Sequence, residues 1–195
     1  MTKIAGYLNF PLQAVVAVAL TASAARFRMI TEESQILQVS KEIIKSAIIS
    51  SCDDWDKVDF GEIESSLAAR LSDDDIESIF VSLLRCELDH RVRSVFFTGC
   101  TGIKGNCLRP LRSFANLLQV DLSLVGRHSG AYETDVCSLD QDAVVDTLNL
   151  HVRTCGCLKL VLLPEKFLRD PSAETRQFLL RLSESIQQRG GVLEL

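Results

Sequence analysis

The sequence predicts an α/β fold in which short parallel strands alternate with helices. Two observations support this prediction: an apolar pattern of the form L-x-x-L-x-L recurs along the chain, and the segments between its copies have the apolar period of helices. A chain of 195 residues with 47% hydrophobic content is also long enough to bury the core that such a fold needs.

The clearest copy of the pattern is VRSVFFTGCTGIKGNCLRPL, residues 92–111. Val92, Val95 and Phe97 occupy its three apolar positions, and Cys100 occupies the position at which such units carry Asn or Cys. This is the pattern of a leucine-rich repeat, in which a short strand directs the apolar side chains into the core. The residues that are predicted to continue inward after the strand are Ile103, Leu108 and Leu111.

The glycines at 99, 102 and 105 allow a second interpretation of this stretch, a phosphate-binding loop. A Walker-type loop requires a Lys directly after its last Gly, and a dinucleotide-binding loop requires the spacing G-x-G-x-x-G. Here Lys104 precedes Gly105, and neither spacing is present. The repeat interpretation is therefore preferred, and the glycines are assigned to backbone geometry.

A single repeat cannot bury its own faces, so the interpretation requires neighbouring units. They are found in WDKVDF, LLQVDL, LKLVLL and the terminal VLEL, which begin at Trp55, Leu117, Leu158 and Val192. The starts at 55, 92, 117, 158 and 192 are 37, 25, 41 and 34 residues apart. Because a repeat usually spans about 20–29 residues, the three longer intervals are predicted to hold complete helices.

Each of these longer intervals has the signature of a helix. Ser72 and Asp75 form a capping box at the start of the first helix, and the acidic run at residues 73–75 complements the positive end of its dipole. The other predicted markers are Asp142 and Val152 in the second helix and, for the third, Asp170 as N-cap, Pro171 as first residue and Gly190 beyond the end. Residues 126–138, between a strand and the second helix, are predicted to form a solvent-exposed loop.

Between residues 55 and 168 the motif L..L.L.GC..I...gL..L resembles the F-box and leucine-rich-repeat proteins with cysteine-containing, ribonuclease-inhibitor-like repeats. The beginning, IAGYLNFPLQAVVAVALTASAARFR, is similar to the second half of an F-box. The resemblance implies a truncated F-box-like helical segment at 1–30, a capping or linker helix at 31–54, and a leucine-rich-repeat solenoid at 55–195 with parallel strands inside and helices outside. The F-box-like residues that would contact an adaptor are Tyr7, Leu8, Leu12, Val15 and Val16.

By this resemblance the chain is expected to be a protein-protein interaction module, a substrate-recognition component related to F-box ubiquitin-ligase subunits. Its partners would be a substrate protein and a cullin-RING ligase adaptor. Two alternatives stay open: a stand-alone repeat scaffold with a non-functional F-box remnant, and a secreted repeat protein. The secreted alternative arises because no charged residue lies between Lys3 and Arg26, and AVVAVALTASAA is similar to a signal peptide.

The solenoid would offer its partner the concave face of the sheet. Side chains alternate along a strand, so the positions marked x in the motif point away from the core. Apolar residues grouped among polar ones on such a face are typical of a protein-binding surface. The alternative is that the loop at residues 126–138 or the amino-terminal helices partly cover the small sheet. The candidate partner-binding residues are Phe96, Leu118, Asp121, Lys159, Leu160 and Leu162.

Composition and motifs argue against several other classes of function. A net charge of -5 without a cluster of Lys and Arg disfavours nucleic acid, and polar residues interrupt the amino-terminal apolar run, which disfavours a membrane span. Seven irregularly spaced cysteines indicate reduced thiols and a cytoplasmic or nuclear protein. His151, Cys155 and Cys157 lack a second ligand pair for zinc, and no G-x-S-x-G signature occurs, so no metal, cofactor or enzyme activity is predicted.

Overall fold

The computed structural model of the chain describes Val16 and residues 55–124, 137–154, 157–169 and 171–194. Within these residues, five short strands form one parallel sheet whose spatial order follows the order of the chain. The strands are β1 (Lys57–Asp59), β2 (Ser94–Phe96), β3 (Gln119–Asp121), β4 (Leu160–Leu162) and β5 (Val192–Glu194). The predicted α/β class with a parallel sheet is confirmed.

The central residue of each strand points into the core. Val58, Val95, Val120 and Val161 lie opposite one another in the ladder, which continues to Leu193. The four valines are at most 1% exposed, and Leu193 packs against the same core. Full burial of a side chain of this size contributes about 1.5–3 kcal/mol, so this column is a main source of the sheet's stability.

The two apolar positions that flank each strand are buried as well. None of these side chains is more than 4% exposed. They are Trp55, Phe60, Val92, Phe97, Leu117, Leu122, Leu158 and Leu163. The apolar pattern therefore predicts burial correctly at all three positions of its four complete copies.

Helices connect the strands, with one exception. The α-helices are α1 (Ser65–Ala68) and α2 (Asp73–Arg85) between β1 and β2, α3 (Gln141–Thr154) between β3 and β4, and α4 (Lys166–Arg169) and α5 (Ala173–Gln187) between β4 and β5. A short 3-10 helix, Phe60–Glu62, follows β1. The exception is the connection from β2 to β3, which contains a 3-10 helix, Asn106–Ser113, and no α-helix.

The 3-10 helix explains why the second interval is the shortest, at 25 residues. Pro110 lies inside it, and proline both lacks an N–H group and clashes with the carbonyl four residues earlier in an α-helix. The segment still contributes to the core, because Cys107, Leu108 and Leu111 are buried. It packs between α2 and α3, and α3 packs in turn against α5.

The apolar faces of the helices complete the core above the sheet. In α2 the buried positions Ile76, Ile79, Phe80 and Leu83 follow the helical period. The Phe80 ring meets those of Phe60, Phe97 and Phe114 at centroid distances of 6.4, 6.1 and 5.8 Å, all edge to face. Such edge-to-face pairs contribute about 0.5–1.5 kcal/mol beyond their buried area.

The predicted helix ends are confirmed at two places and wrong at one. The capping box of Ser72 and Asp75 is formed, and Gly190 lies past the end of α5 with a φ of 72°. The predicted start of α5 at Pro171 is wrong, because Ser172 is its N-cap and accepts a hydrogen bond from the Thr175 amide at 3.0 Å. Asp170, the predicted cap, lies outside the described residues.

The predicted segments at 1–30 and 31–54 lie outside the described residues, except for one position. Val16 is helical, fully buried and part of the hydrophobic core. Of the predicted loop at 126–138, only Cys137 and Ser138 are described. No helix in the described part of the chain is long and apolar enough to cross a membrane.

Candidate protein-binding face of the sheet

The first and third residues of β1 to β4, together with Val192 of β5, point away from the core and form what we call the outer face. One column of this face runs Lys57, Ser94, Gln119, Leu160, Val192, and the second runs Asp59, Phe96, Asp121, Leu162. The columns arise because all strands pair in the same register and side chains alternate along each strand. Sequence positions that are distant along the chain are thus placed side by side.

Apolar side chains occupy the middle and the β5 side of the outer face. Phe96, Leu160 and Leu162 are half-buried, and Leu118, which directly precedes β3, is half-buried beside them. Val192 is 54% exposed. The four predicted apolar residues therefore lie together. The prediction that Val192 takes the first inward position of the terminal VLEL is wrong, because Val192 pairs with the outward-facing Leu160 and not with Leu158, so it lies on the outer face.

Charged side chains neutralise one another at the β1 side of the outer face. The Lys57 ammonium lies 2.9 Å from both the Asp59 and the Glu62 carboxylates and 5.5 Å from the centre of the Phe96 ring. Hydrogen bonds to the Asp59 and Glu62 side chains raise the pKa of Lys57. The charges here are matched within the chain, and Phe96 is held beside them.

Asp121 is buried, although its outward-facing position predicts an exposed polar side chain. Its side chain is only 4% exposed, and its carboxylate accepts hydrogen bonds from the backbone N–H of Ser123 at 3.0 Å and from the Ser123 hydroxyl at 2.6 Å. The carboxylate thus stabilises the turn that leaves β3. Lys159, the other predicted polar residue, is exposed at the amino-terminal edge of the sheet.

The same edge carries further positive charge that the sequence analysis missed. Asp56, Arg93, Leu118 and Lys159 occupy equivalent positions before β1, β2, β3 and β4. Backbone hydrogen bonds of 2.7–2.8 Å join the row: the N–H groups of Arg93, Leu118 and Lys159 donate to the carbonyl oxygens of Asp56, Arg93 and Leu118, respectively. We call this row the amino edge. Aligning the four motif copies by position would have placed Arg93 and Lys159 in one row, with Leu118 between them.

A shallow depression of about 450 Å³ opens at the amino edge. The described residues that line it are Asp56, His90, Arg91 and Arg93, all of which are exposed. The backbone carbonyl of His90 accepts a hydrogen bond from the Asn116 side chain at 2.6 Å, which ties the segment before β2 to the segment before β3.

The glycine-containing loop after β2 binds a carboxylate of this chain. The Asp73 side chain accepts hydrogen bonds from the backbone N–H groups of Lys104, Gly105 and Cys107 at 3.0, 3.0 and 3.1 Å. Gly105 has a φ of 109°, and a Cβ atom there would lie 2.9 Å from the Val144 side chain. The N–H groups that suggested a phosphate loop are therefore occupied by Asp73.

Cys100, Cys107 and His151 are buried. Burial raises the pKa of the Cys100 and Cys107 thiols, and the Asp59 and Asp73 carboxylates respectively raise them further. Burial likewise lowers the pKa of His151. Among the described residues, which exclude Cys155, no three His, Cys, Asp or Glu side chains are grouped so that they could hold a metal.

In the part of the chain that the structure describes, the fold is α/β, with one five-stranded parallel sheet and helices packed on one side of it. Tyr7, Leu8, Leu12 and Val15 of the predicted adaptor-binding set lie outside the described residues. Comparisons of the chain with protein-family models, with curated proteins and with solved structures find no match.

Proposed function

We propose that this protein is a protein-protein interaction module that binds its partner on the outer face of the sheet. The observation that carries the proposal is the group of Phe96, Leu160 and Leu162, which are half-buried, with Val192, which is 54% exposed. The core of a protein-binding surface is apolar and its rim is polar. The matched charges of Lys57 and Asp59 and the exposed Lys159 supply such a rim.

The proposal includes a short leucine-rich-repeat architecture for the described part of the chain. Three observations support it: the strands follow chain order, four of the five strands bury the same three motif positions, and the connecting helices pack beside one another in sequence. A stack of this kind keeps its outer face free of helices. The outer face is then the concave face on which such proteins bind partners.

The resemblance to F-box proteins extends the proposal to substrate recognition for a ubiquitin ligase, in the cytoplasm or the nucleus. One observation favours a second candidate, a stand-alone interaction module. Val16 belongs to the predicted adaptor-binding set, yet its side chain is buried in the core. A side chain packed in this way stabilises the protein and is not available to an adaptor.

The binding face is tested by photo-crosslinking in cells that express the full chain. A photoreactive amino acid replaces Leu162 on the outer face or, as a matched control, Leu180, which is 62% exposed on α5. We expect a partner of defined mass to be crosslinked from position 162 and not from position 180. Equal crosslinking from both positions, or none from position 162, would refute the proposal.

The link to a ligase is tested by calorimetry with the purified full chain and a purified cullin-RING adaptor. Micromolar or tighter binding that is lost in Leu8→Asp and kept in Leu162→Asp supports an adaptor-binding F-box remnant. Val16→Asp is unsuitable, because it would place a charge in the core. If the folded wild-type chain does not bind, the stand-alone module is the better description.

A further inference from the structure

The charge of the amino edge is opposite to that of the whole chain. The chain has a net charge of -5, but Arg91, Arg93 and Lys159 are exposed at this edge. Within the described ranges, none of the three forms an ion pair with a carboxylate. Two nearby carboxylates are already engaged, Asp59 with Lys57 and Asp121 with the Ser123 hydroxyl and amide. Asp56, which is exposed beside Arg93, offsets one of the three positive charges, so two remain in excess at this edge.

From this arrangement we propose that the partner bound by the outer face is an acidic, apolar peptide segment in extended conformation. This inference rests on the proposed function and specifies the partner. Carboxylates of the segment pair with Arg91, Arg93 and Lys159, while its apolar side chains pack on Phe96 and Leu160. Charge complementarity of this kind selects the partner and accelerates its association.

The geometry also sets the spacing of the acidic residues. Arg93 and Lys159 stand at equivalent positions before β2 and β4, with Leu118 of β3 between them. Neighbouring strands are about 4.8 Å apart, so the two positions are separated by roughly 10 Å. In a polyproline-II chain, which has three residues per turn and rises about 3.1 Å per residue, residues three positions apart lie on the same side and about 9 Å apart. A segment that crosses the strands in this extended conformation would therefore carry two acidic residues three positions apart, with apolar residues between them.

The experiment selects binders to the immobilised full chain from a random twelve-residue peptide library displayed on phage. We expect enrichment of peptides with two Asp or Glu residues three positions apart and Leu, Ile or Phe between them. One enriched peptide, made synthetically, is then titrated by fluorescence anisotropy. Its affinity should fall at least roughly tenfold in the double variant Arg93→Ala, Lys159→Ala, because two charge pairs are lost.

The matched control removes two positive charges from the helices instead. Arg153 and Arg176 are exposed on α3 and α5, so Arg153→Ala, Arg176→Ala changes the net charge equally while leaving the amino edge intact. Trp55, the single tryptophan, is 1% exposed, and its fluorescence confirms that each variant is folded. The control should bind the peptide with wild-type affinity.

Three results would overturn the inference: enrichment of basic or purely polar peptides, no enrichment, or equal weakening of binding in the two double variants. They are distinguishable from failure of the proposed function. Crosslinking from position 162 without selection of acidic peptides would retain the binding face and reject this partner. A single-stranded RNA oligonucleotide that binds through Arg93 and Lys159 in place of peptides would also reject it.

Discussion

Replacement of Asp73 by alanine is expected to destabilise the protein more than its position at a helix start suggests. The carboxylate accepts three backbone N–H groups from a loop that is 31–34 residues further along the chain. The bonds from Gly105 and Cys107 are partly buried, so these donors lose their partner where water reaches them poorly, whereas the N–H of Lys104 is more exposed. An unsatisfied buried donor costs about 1–3 kcal/mol, so we expect a loss of about 2–4 kcal/mol.

The matched control is Asp74→Ala. Asp74 lies one residue further along α2 and is exposed, so its replacement removes the same charge from the same helix end. Its loss should cost about 0.3–1 kcal/mol through the helix dipole alone. The free energy of unfolding is measured by urea titration with Trp55 fluorescence. Equal destabilisation by the two substitutions would show that the hydrogen bonds of Asp73 to the loop contribute nothing beyond charge.

Three other predictions concern the turn before β5, a buried histidine and the buried thiols. Gly191→Ala should destabilise the protein by more than about 2 kcal/mol, because its Cβ would overlap the backbone carbonyl group of Lys159. Gly190→Ala, with open space but a φ of 72°, should cost about 1 kcal/mol, and urea titration that shows equal losses for the two substitutions would contradict this. The pKa of His151 is lowered from its ordinary value of 6.5 by burial, so its contribution to stability is complete above that pH and is lost as the pH falls below it. Urea midpoints at about pH 8 and about pH 5.5 should differ more for the wild type than for His151→Gln, and equal differences would contradict the assignment. The buried thiols of Cys100 and Cys107 should resist alkylation in the native state and react on unfolding, as measured by mass spectrometry, and their native alkylation at the rate of the half-buried Cys86 would refute their placement.

Local patterns predicted the sheet well, because burial of one side of a strand imposes a strict alternation on its residues. The spacing of Val92, Val95 and Phe97 was sufficient to predict a strand, and the structure buries all three. The capping box at Ser72 and Asp75 was equally predictable, since both of its hydrogen bonds join residues within one helical turn. The α5 start was mispredicted because Asp170 and Ser172 both suit an N-cap, and the sequence does not rank them.

Features that depend on distant residues were not predictable in the same way. The acidic run was interpreted only through the helix dipole, whereas Asp73 binds a loop that begins 31 residues later. The glycine pattern after β2 gave no sign that its N–H groups are occupied by a carboxylate of the chain. The positive amino edge likewise appears only when the parallel register places Arg93 and Lys159 in one row.

The candidate face was predicted in outline and corrected in detail. Phe96, Leu160 and Leu162 lie together on the outer face as the motif predicted, because their positions follow directly from strand alternation. The side-chain conformation of Asp121 did not follow from alternation, since it depends on the hydroxyl and amide of Ser123 in the following turn. The burial of Asp121 at an outward-facing position could therefore not be predicted from the sequence.

The most direct test of the outer face as a protein-binding surface is crosslinking from position 160 in cells, challenged by a second substitution. A photoreactive residue at position 160 is combined with Leu162→Asp or with Leu180→Asp, which place the same charge on the outer face and on α5. We predict that the crosslinked partner is lost with Leu162→Asp and kept with Leu180→Asp. A partner that is crosslinked equally in both variants would contradict binding through the outer face.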